Sequence, residues 1–253
     1  MTNSVLHNTR ILLTGAAETS QELAEILSLY GATVKASPMI EIKKIEITDT
    51  ILKLFGSLSQ FQWVVFTSKY GVSTFFDSIT PKHIPQHIQW ACVGKKTAQK
   101  LTDYGYIPHF ICSKNNGKDF AQEFSNYING QFVSVFFPTG NLTENMITLS
   151  VSPNISITKC IIYNTVMPST IDTNIFTQIE HKQFDYIIFT SPSGVTNCMK
   201  ASNNLPIWNY CTIISIGPST SKRLQKYGCT SFIQAEEYNS QGIISVLQQL
   251  NSN

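Results

Sequence analysis

The sequence predicts an α/β protein made of two parallel-sheet lobes related by internal duplication, and three observations carry that expectation. First, Phe61-Gln62-Trp63-Val64-Val65-Phe66-Thr67-Ser68-Lys69-Tyr70-Gly71-Val72 returns as Phe184-Asp185-Tyr186-Ile187-Ile188-Phe189-Thr190-Ser191-Pro192-Ser193-Gly194-Val195, 123 residues later. Second, Cys92-Val93-Gly94-Lys95-Lys96-Thr97, with Leu101 and Tyr104-Gly105 beyond it, returns at the same offset as Ser215-Ile216-Gly217-Pro218-Ser219-Thr220, Leu224 and Tyr227-Gly228. One shared offset with no net gap points to duplication of a unit rather than to two chance likenesses. Third, short apolar runs alternate with amphipathic helical segments, which is the grammar of parallel sheets covered on both faces.

Taken in order, Ile11-Leu12-Leu13 reads as a strand ending in Thr14-Gly15. Leu23, Ile26, Leu27 and Tyr30 then fall at helical spacing before Gly31 stops the helix. Trp63–Phe66 is the next strand, and Val72, Phe75, Phe76 and Ile79 place one apolar face on the helix after it. A third unit runs from Trp90–Val93 into a helix from Thr97 to Tyr104, closed by Gly105, and a fourth from Phe132–Phe137 through Pro138-Thr139-Gly140-Asn141. The second copy repeats the pattern at Tyr186–Phe189 and Thr212–Ile216. Two stretches differ from the rest: residues 36–48, around Pro38, and residues 156–169, ending near Pro168, are β-prone and non-helical, so they read as interdomain linkers.

The chain has 253 residues, 42% of them hydrophobic, enough for two domains of about 120 residues with a core each. A net charge of +2 lacks the basic excess of a nucleic-acid binder. The first residues lack the basic start and apolar run of a signal peptide, and no apolar stretch reaches the roughly 18 residues of a membrane span, so a cytoplasmic protein is expected. Six scattered cysteines without a Cys-x-x-Cys pair suit reduced, buried thiols, and the glycosylation sequons at Asn141 and Asn154 have no meaning in that compartment. Only Arg10 and Arg223 carry guanidinium groups, so an anionic ligand must be held mainly by lysines, hydroxyls and backbone amides.

In parallel α/β sheets ligands gather beyond the carboxyl ends of the strands, where helix N-termini point free amides. The repeated Thr-Ser and Gly-x-x-Thr elements occupy that place in both copies. Taken singly, Ser68, Ser191, Thr97 and Thr220 read as helix caps or first-turn residues that satisfy orphan amides; four of them at equivalent strand ends favour a two-sided anion or polar-ligand cleft. Lys69, Lys95 and Lys96 in the first copy stand opposite Pro192, Pro218 and Ser219 in the second, so one wall would supply charge and the other stiff loops and amides. Tyr163, in a linker stretch expected to face the cleft, is either a packed tyrosine or a usable proton donor. His83 and His87 are separated by Pro85 and lack a third ligand, so they read as loop residues rather than a metal site. Gly140-Asn141 is not a phosphate loop, and no Gly-x-Ser-x-Gly elbow or paired-carboxylate motif occurs.

The ordered set of Phe66-Thr67-Ser68 with Gly71-Val72, Val93-Gly94-x-x-Thr97-Ala98, Phe137-Pro138-x-Gly140-Asn141, Ile162-Tyr163-x-Thr165, Phe189-Thr190-Ser191-Pro192-Ser193-Gly194 and Ile216-Gly217-Pro218-x-Thr220 resembles the uroporphyrinogen-III synthase family over nearly the whole chain. The resemblance implies two flavodoxin-like lobes joined by a two-stranded β linker. Residues 1–35 with 172–253 would form one lobe, 47–158 the other, and 36–46 and 159–171 the linker strands. It implies cyclisation of the linear tetrapyrrole hydroxymethylbilane with inversion of ring D and loss of water, in haem biosynthesis. No metal or organic cofactor is implied. The implied catalytic residue is Tyr163, helping the ring A hydroxyl to leave. Substrate would be held by Thr67, Ser68, Lys69, Gly94, Lys95, Lys96, Thr97, Gly140 and Asn141 from one copy and by Thr190, Ser191, Ser193, Gly217, Pro218, Ser219 and Thr220 from the other. A monomer that receives its substrate from hydroxymethylbilane synthase is expected, with no nucleic-acid or membrane partner. The alternative is a non-catalytic tetrapyrrole-binding or regulatory relative. Many members carry Thr-Arg-Pro where this chain has Thr14-Gly15-Ala16, so one anion contact would pass to neighbouring amides.

Overall fold

The computed structural model describes residues 5–114, 117–143 and 150–252. Among them are two mainly parallel sheets flanked by helices, in two units: Met1–Glu41 with Val166–Asn253, and Ile42–Thr165.

In the first unit β1 (Arg10–Leu13), β2 (Thr33–Ala36), β9 (Tyr186–Phe189), β10 (Thr212–Ser215) and β11 (Ile233–Gln234) form one sheet in the order β11-β10-β9-β1-β2. Every pairing is parallel, with Ile11 beside Tyr186 and Ile213 beside Ile187. The central strands bury apolar runs, Ile11–Leu13, Ile187–Phe189 and Ile213-Ile214, because helices cover both faces. On one face α6 (Asn174–Glu180) and α7 (Pro192–Ala201) bring Ile175, Ile179, Val195 and Met199 onto Leu12, Ile187 and Phe189, and Leu224 of α8 (Pro218–Lys226) joins them. On the other, α1 (Ala17–Leu29) and α9 (Ser240–Asn251) bring Leu23, Leu27, Ile243 and Leu247 onto Ile11, Leu13, Ile188 and Ile214.

In the second unit the order is β3-β8-β7-β4-β5-β6. The strands are β3 (Glu41–Lys44), β4 (Trp63–Phe66), β5 (Gln89–Val93), β6 (Phe110–Cys112), β7 (Val133–Gly140) and β8 (Ile155–Val166). Around Phe136 and Val64, α2 (Asp49–Gly56) and α3 (Lys69–Ser78) build an aromatic core in which Phe75 meets Phe55, Phe66 and Trp90 edge to face, while Leu101 of α4 (Lys95–Asp103) closes it. On the opposite face α5 (Gly117–Ile128) seats Phe120 and Phe124 against Trp63 and Phe137. The stretches read as linkers, 36–46 and 159–171, supply β3 and the second half of β8, which sit together at one edge of this sheet. Their strand-prone backbones are thus paired within a sheet, Ile45 donating to the carbonyl of Ile162 at 3.4 Å.

Three helices end as their Tyr-Gly pairs predict. Tyr30, Tyr104 and Tyr227 are the capping residues, and the glycines after them take φ of +93°, +86° and +90°. Among the described residues no helix is long and apolar enough to cross a membrane. All six cysteines are unpaired and only Cys211 is partly exposed; burial pushes the thiols of Cys92 and Cys198 up to about 12.

Candidate functional site

Each sheet reverses its winding direction once. In the first unit the chain moves outward from β1 to β2 on one side and from β9 through β10 to β11 on the other, so the switch lies between β1 and β9. In the second it lies between β7 and β4. The carboxyl ends of the strands at such a switch are where an open parallel sheet leaves room for a ligand. The Thr-Ser blocks and the two Thr-Gly turns, Thr14-Gly15 and Thr139-Gly140, stand at these ends.

The two switch points are built alike. Ser68 is the N-cap of α3, its hydroxyl accepting the Gly71 amide at 3.0 Å, and Ser191 caps α7 by accepting the Gly194 amide at 3.1 Å. Both serines therefore act as caps. A Cβ on Gly71 would touch the carbonyl of Pro138 at 3.4 Å, and one on Gly194 the carbonyl of Thr14 at 3.6 Å, so each helix starts close against the neighbouring strand end. Thr67 and Thr190 precede the caps and are half-buried. Ser193 shares a hydrogen bond with Ser191 at 3.2 Å.

Gly15 is explained by the same crowding. A Cβ there would lie 2.7 Å from Thr190 Oγ1 and 3.2 Å from Ser20 Oγ, so no larger residue, arginine included, enters this turn without moving Thr190.

The second pair of helix starts is built differently. The N-caps of α4 and α8 are Gly94 and Gly217, with no side-chain cap, and Thr97 and Thr220 are the third residues of those helices, 5% and 2% exposed. Both are first-turn residues, one of the two readings their spacing allows, and both are buried. Gly94 needs its φ of +82°, whereas Gly217 is extended and packs under Tyr238. The exposed groups are Lys95 and Lys96 in one unit and Pro218 and Ser219 in the other. Two cations in a first helical turn oppose the helix dipole. No first turn of α3, α4, α7 or α8 contains an acidic residue, a feature they share with α6 and α9, whereas α1, α2 and α5 carry Glu18, Asp49 and Asp119.

At the second unit's switch point stands Tyr163. It lies in β8 beside Gly140 of β7, at a register shift in the pairing. As the packed reading of this linker tyrosine expects, its side chain lies in the core cluster at 6% exposure, with its hydroxyl 2.9 Å from Ser68 Oγ. Burial raises its pKa, offset in part by the Ser68 hydrogen bond, so the phenol keeps its proton near neutrality. Gly140 lies against the ring, and a Cβ would be 2.5 Å from Cε2. Asn141 braces the bulge, donating its amide to the Tyr163 carbonyl at 3.1 Å and accepting the Thr165 amide on Oδ1 at 2.8 Å. Tyr70 approaches the Tyr163 ring at 6.4 Å, and Lys69 Nζ lies 5.5 Å from the Tyr70 ring centre. The structure thus gathers Thr67, Ser68, Lys69, Gly140, Asn141 and Tyr163, and separately Thr190, Ser191 and Ser193. Tyr70 was not singled out from the sequence as a site residue, and Gly71 entered only as part of a motif, repeated as Gly194.

A cavity of about 760 Å³ opens elsewhere in the second unit, beside the amino ends of β5 and β6, among Lys82, His87, Trp90, Tyr106 and His109. It holds none of the strand-end residues, and helix amides point the other way, so size does not make it the candidate site. His87 bonds the Phe61 carbonyl at 3.1 Å, and no group of three His, Cys, Asp or Glu suited to a metal occurs among the described residues.

The sequence model of uroporphyrinogen-III synthase HemD matches residues 21–245, which include β4 and β7 at one switch point and β9 with its Thr-Ser block at the other. The chain belongs to the uroporphyrinogen-III synthase family. It is 24% identical to the porphyrin biosynthesis protein HemD of Ruminiclostridium josui over 97% of this chain but only 49% of that protein, about half its length. It is 26% identical to the uroporphyrinogen-III synthase of Synechococcus elongatus over 94% of both chains. The solved uroporphyrinogen-III synthetase of Helicobacter pylori 26695 shares its fold, with a TM-score of 0.65 at 18% identity over 96% of this chain and 99% of that one.

Proposed function

We propose that this chain is a uroporphyrinogen-III synthase of haem biosynthesis, closing hydroxymethylbilane to uroporphyrinogen III with inversion of ring D and loss of water. The match to the family along residues 21–245 carries the reading. We take it to be a cyclising hydro-lyase, working as a monomer in the cytoplasm, where six unpaired cysteines stay reduced, and fed by hydroxymethylbilane synthase. No metal or organic cofactor enters the scheme.

The substrate carries eight carboxylates. Helix N-termini without acidic first turns, with Lys95 and Lys96 among them, suit such a ligand. The residues assigned to binding are Thr67, Lys69, Gly94, Lys95, Lys96 and Asn141 in one unit and Thr190, Ser193, Gly217, Pro218 and Ser219 in the other, acting largely through backbone amides. Tyr163 is the proton donor. The bond from the ring A methylene carbon to its hydroxyl breaks with the electron pair on oxygen, the phenol proton joins that oxygen as water leaves, and the proton lost on ring closure restores the phenol. The raised pKa keeps that proton in place at neutral pH. Most of the acceleration is assigned to holding ring D against the cationic centre so that closure with inversion outruns spontaneous closure.

The test is to supply fresh hydroxymethylbilane and separate the isomers formed. Uroporphyrinogen III is expected; isomer I alone, at the spontaneous rate, would leave only the non-catalytic binder. Replacing Lys95 and Lys96 together by Ala should raise KM several-fold at low salt and flatten its salt dependence, since screened attraction is removed. An unmoved KM would take both lysines out of the site.

A further inference from the structure

Tyr163 reaches its place through three contacts that have no relation to one another in sequence. The first is the Ser68 hydroxyl, 2.9 Å from the phenol oxygen. The second is Gly140, whose missing side chain leaves the ring its space. The third is the Asn141 amide on the Tyr163 carbonyl, which holds the bulge. Of these only Ser68 touches the oxygen that would carry the chemistry. Its own orientation is not free, because the same Oγ accepts the Gly71 amide in the first turn of α3 at 3.0 Å.

A serine oxygen has one proton and two lone pairs. With one lone pair taken by the Gly71 amide, the remaining proton can be directed at the phenol oxygen. In that arrangement Ser68 donates to Tyr163, and the phenol proton is left pointing away from Ser68, available to an acceptor. Once that proton has gone, the serine bond becomes a charge-assisted one to a phenolate, shorter and stronger than before. Behind it stands the Gly71 amide and the positive end of α3, which has no acidic residue in its first turn. The stabilisation therefore grows as negative charge develops on the tyrosine oxygen, the behaviour that lowers a barrier rather than merely tightening binding.

We propose that Ser68 is a positioning residue for Tyr163 that couples the phenol to the N-terminus of α3, rather than a contact to substrate; this rests on the donor role given to Tyr163 above. The first copy's helix start thereby gains a task that its counterpart lacks, since Ser191 turns to Ser193 and caps its own helix without a tyrosine partner. The same reading removes Ser68 from the list of groups that hold carboxylates.

The experiment compares Ser68→Ala and Ser68→Thr with Tyr163→Phe and the Ser68→Ala/Tyr163→Phe pair, in the full chain, checking each fold by circular dichroism. Ser68→Ala should lower kcat on the order of tenfold or more with KM little changed, and Ser68→Thr, which keeps the hydroxyl and the cap, should recover most of it. On the Tyr163→Phe background, Ser68→Ala should cost no further kcat, because the group it serves is gone. The contact is also read without turnover: in protein labelled with 13C at tyrosine Cζ, the Tyr163 resonance should shift in Ser68→Ala and return in Ser68→Thr. A kcat loss that adds in full on the Tyr163→Phe background, or a resonance that stays put, would overturn the Ser68 assignment alone. An unchanged kcat in Tyr163→Phe would bring down the donor role and this inference with it.

Discussion

At Gly140 a single methyl group decides where a catalytic candidate can stand, since it would lie 2.5 Å from Cε2 and 2.7 Å from Cζ of Tyr163. Gly140→Ala must therefore move the ring or the bulge. Overpacking of this kind costs about 1–3 kcal/mol. The expected outcome is a lower melting temperature together with a fall in kcat larger than the stability loss explains; a variant with native kcat and melting temperature would show the ring to be free to shift. From the sequence Gly140 was assigned to substrate, and its steric role stayed hidden because the tyrosine it faces is 23 residues away on another strand. Gly15 is the converse case: its departure from the family pattern was legible, but its reason, the hydroxyl of Thr190, was not. Thr97 and Thr220 mark a third limit of a linear reading. Their spacing from a glycine resembles a cap-and-first-turn pattern whichever way the side chain turns, and only packing tells a buried methyl from a lining hydroxyl.

Among the elements, β1 and β9 are tied at their amino ends by Asp185. Its carboxylate accepts the Arg10 backbone amide at 2.8 Å and the guanidinium at 2.7 and 3.1 Å, and its own amide donates to the Arg10 carbonyl at 2.9 Å. The Arg10 hydrogen bonds hold the Asp185 carboxyl below the ordinary aspartate range. A carboxylate whose pKa is depressed on folding adds stability that is present above its unfolded value and lost as the pH falls through its folded value. Asp185→Asn should consequently lower the melting temperature at neutral pH, and the gap from the parent should close as the medium is acidified below the ordinary aspartate range. A gap that stays constant down to acid pH would show the tie to be structural rather than ionic. Because both partners are well exposed, the ionic part is small and salt-sensitive. Secondary structure itself was the most readable layer. Tyr-Gly stops and Ser caps act within four residues of where they are written, so the ends of α1, α3, α4, α7 and α8 could be placed from local chemistry alone.

For the molecule as a whole, the second unit is one continuous stretch, Ile42–Thr165, while the first needs two separate pieces of chain. The continuous unit holds nearly all of a six-stranded sheet with cores on both faces, a size and burial that fit independent folding. A fragment of residues 41–166 is expected to unfold cooperatively by circular dichroism. Residues 166–253 alone lack β1, the central strand that Ile187 and Ile188 pair with, and are expected not to. A fragment 41–166 without a cooperative transition would show that the second unit depends on the first. By itself the sequence determined the alternation of strands and helices and the family, because apolar period, caps and motifs are written in short windows and survive a linear reading. Only the tertiary structure decided that β8 lies beside β7 with Tyr163 opposite Gly140, and that Ser68, 95 residues earlier, meets the phenol. Strand order and register are settled by non-local pairing, where one shifted residue at a bulge changes which side chains face each other.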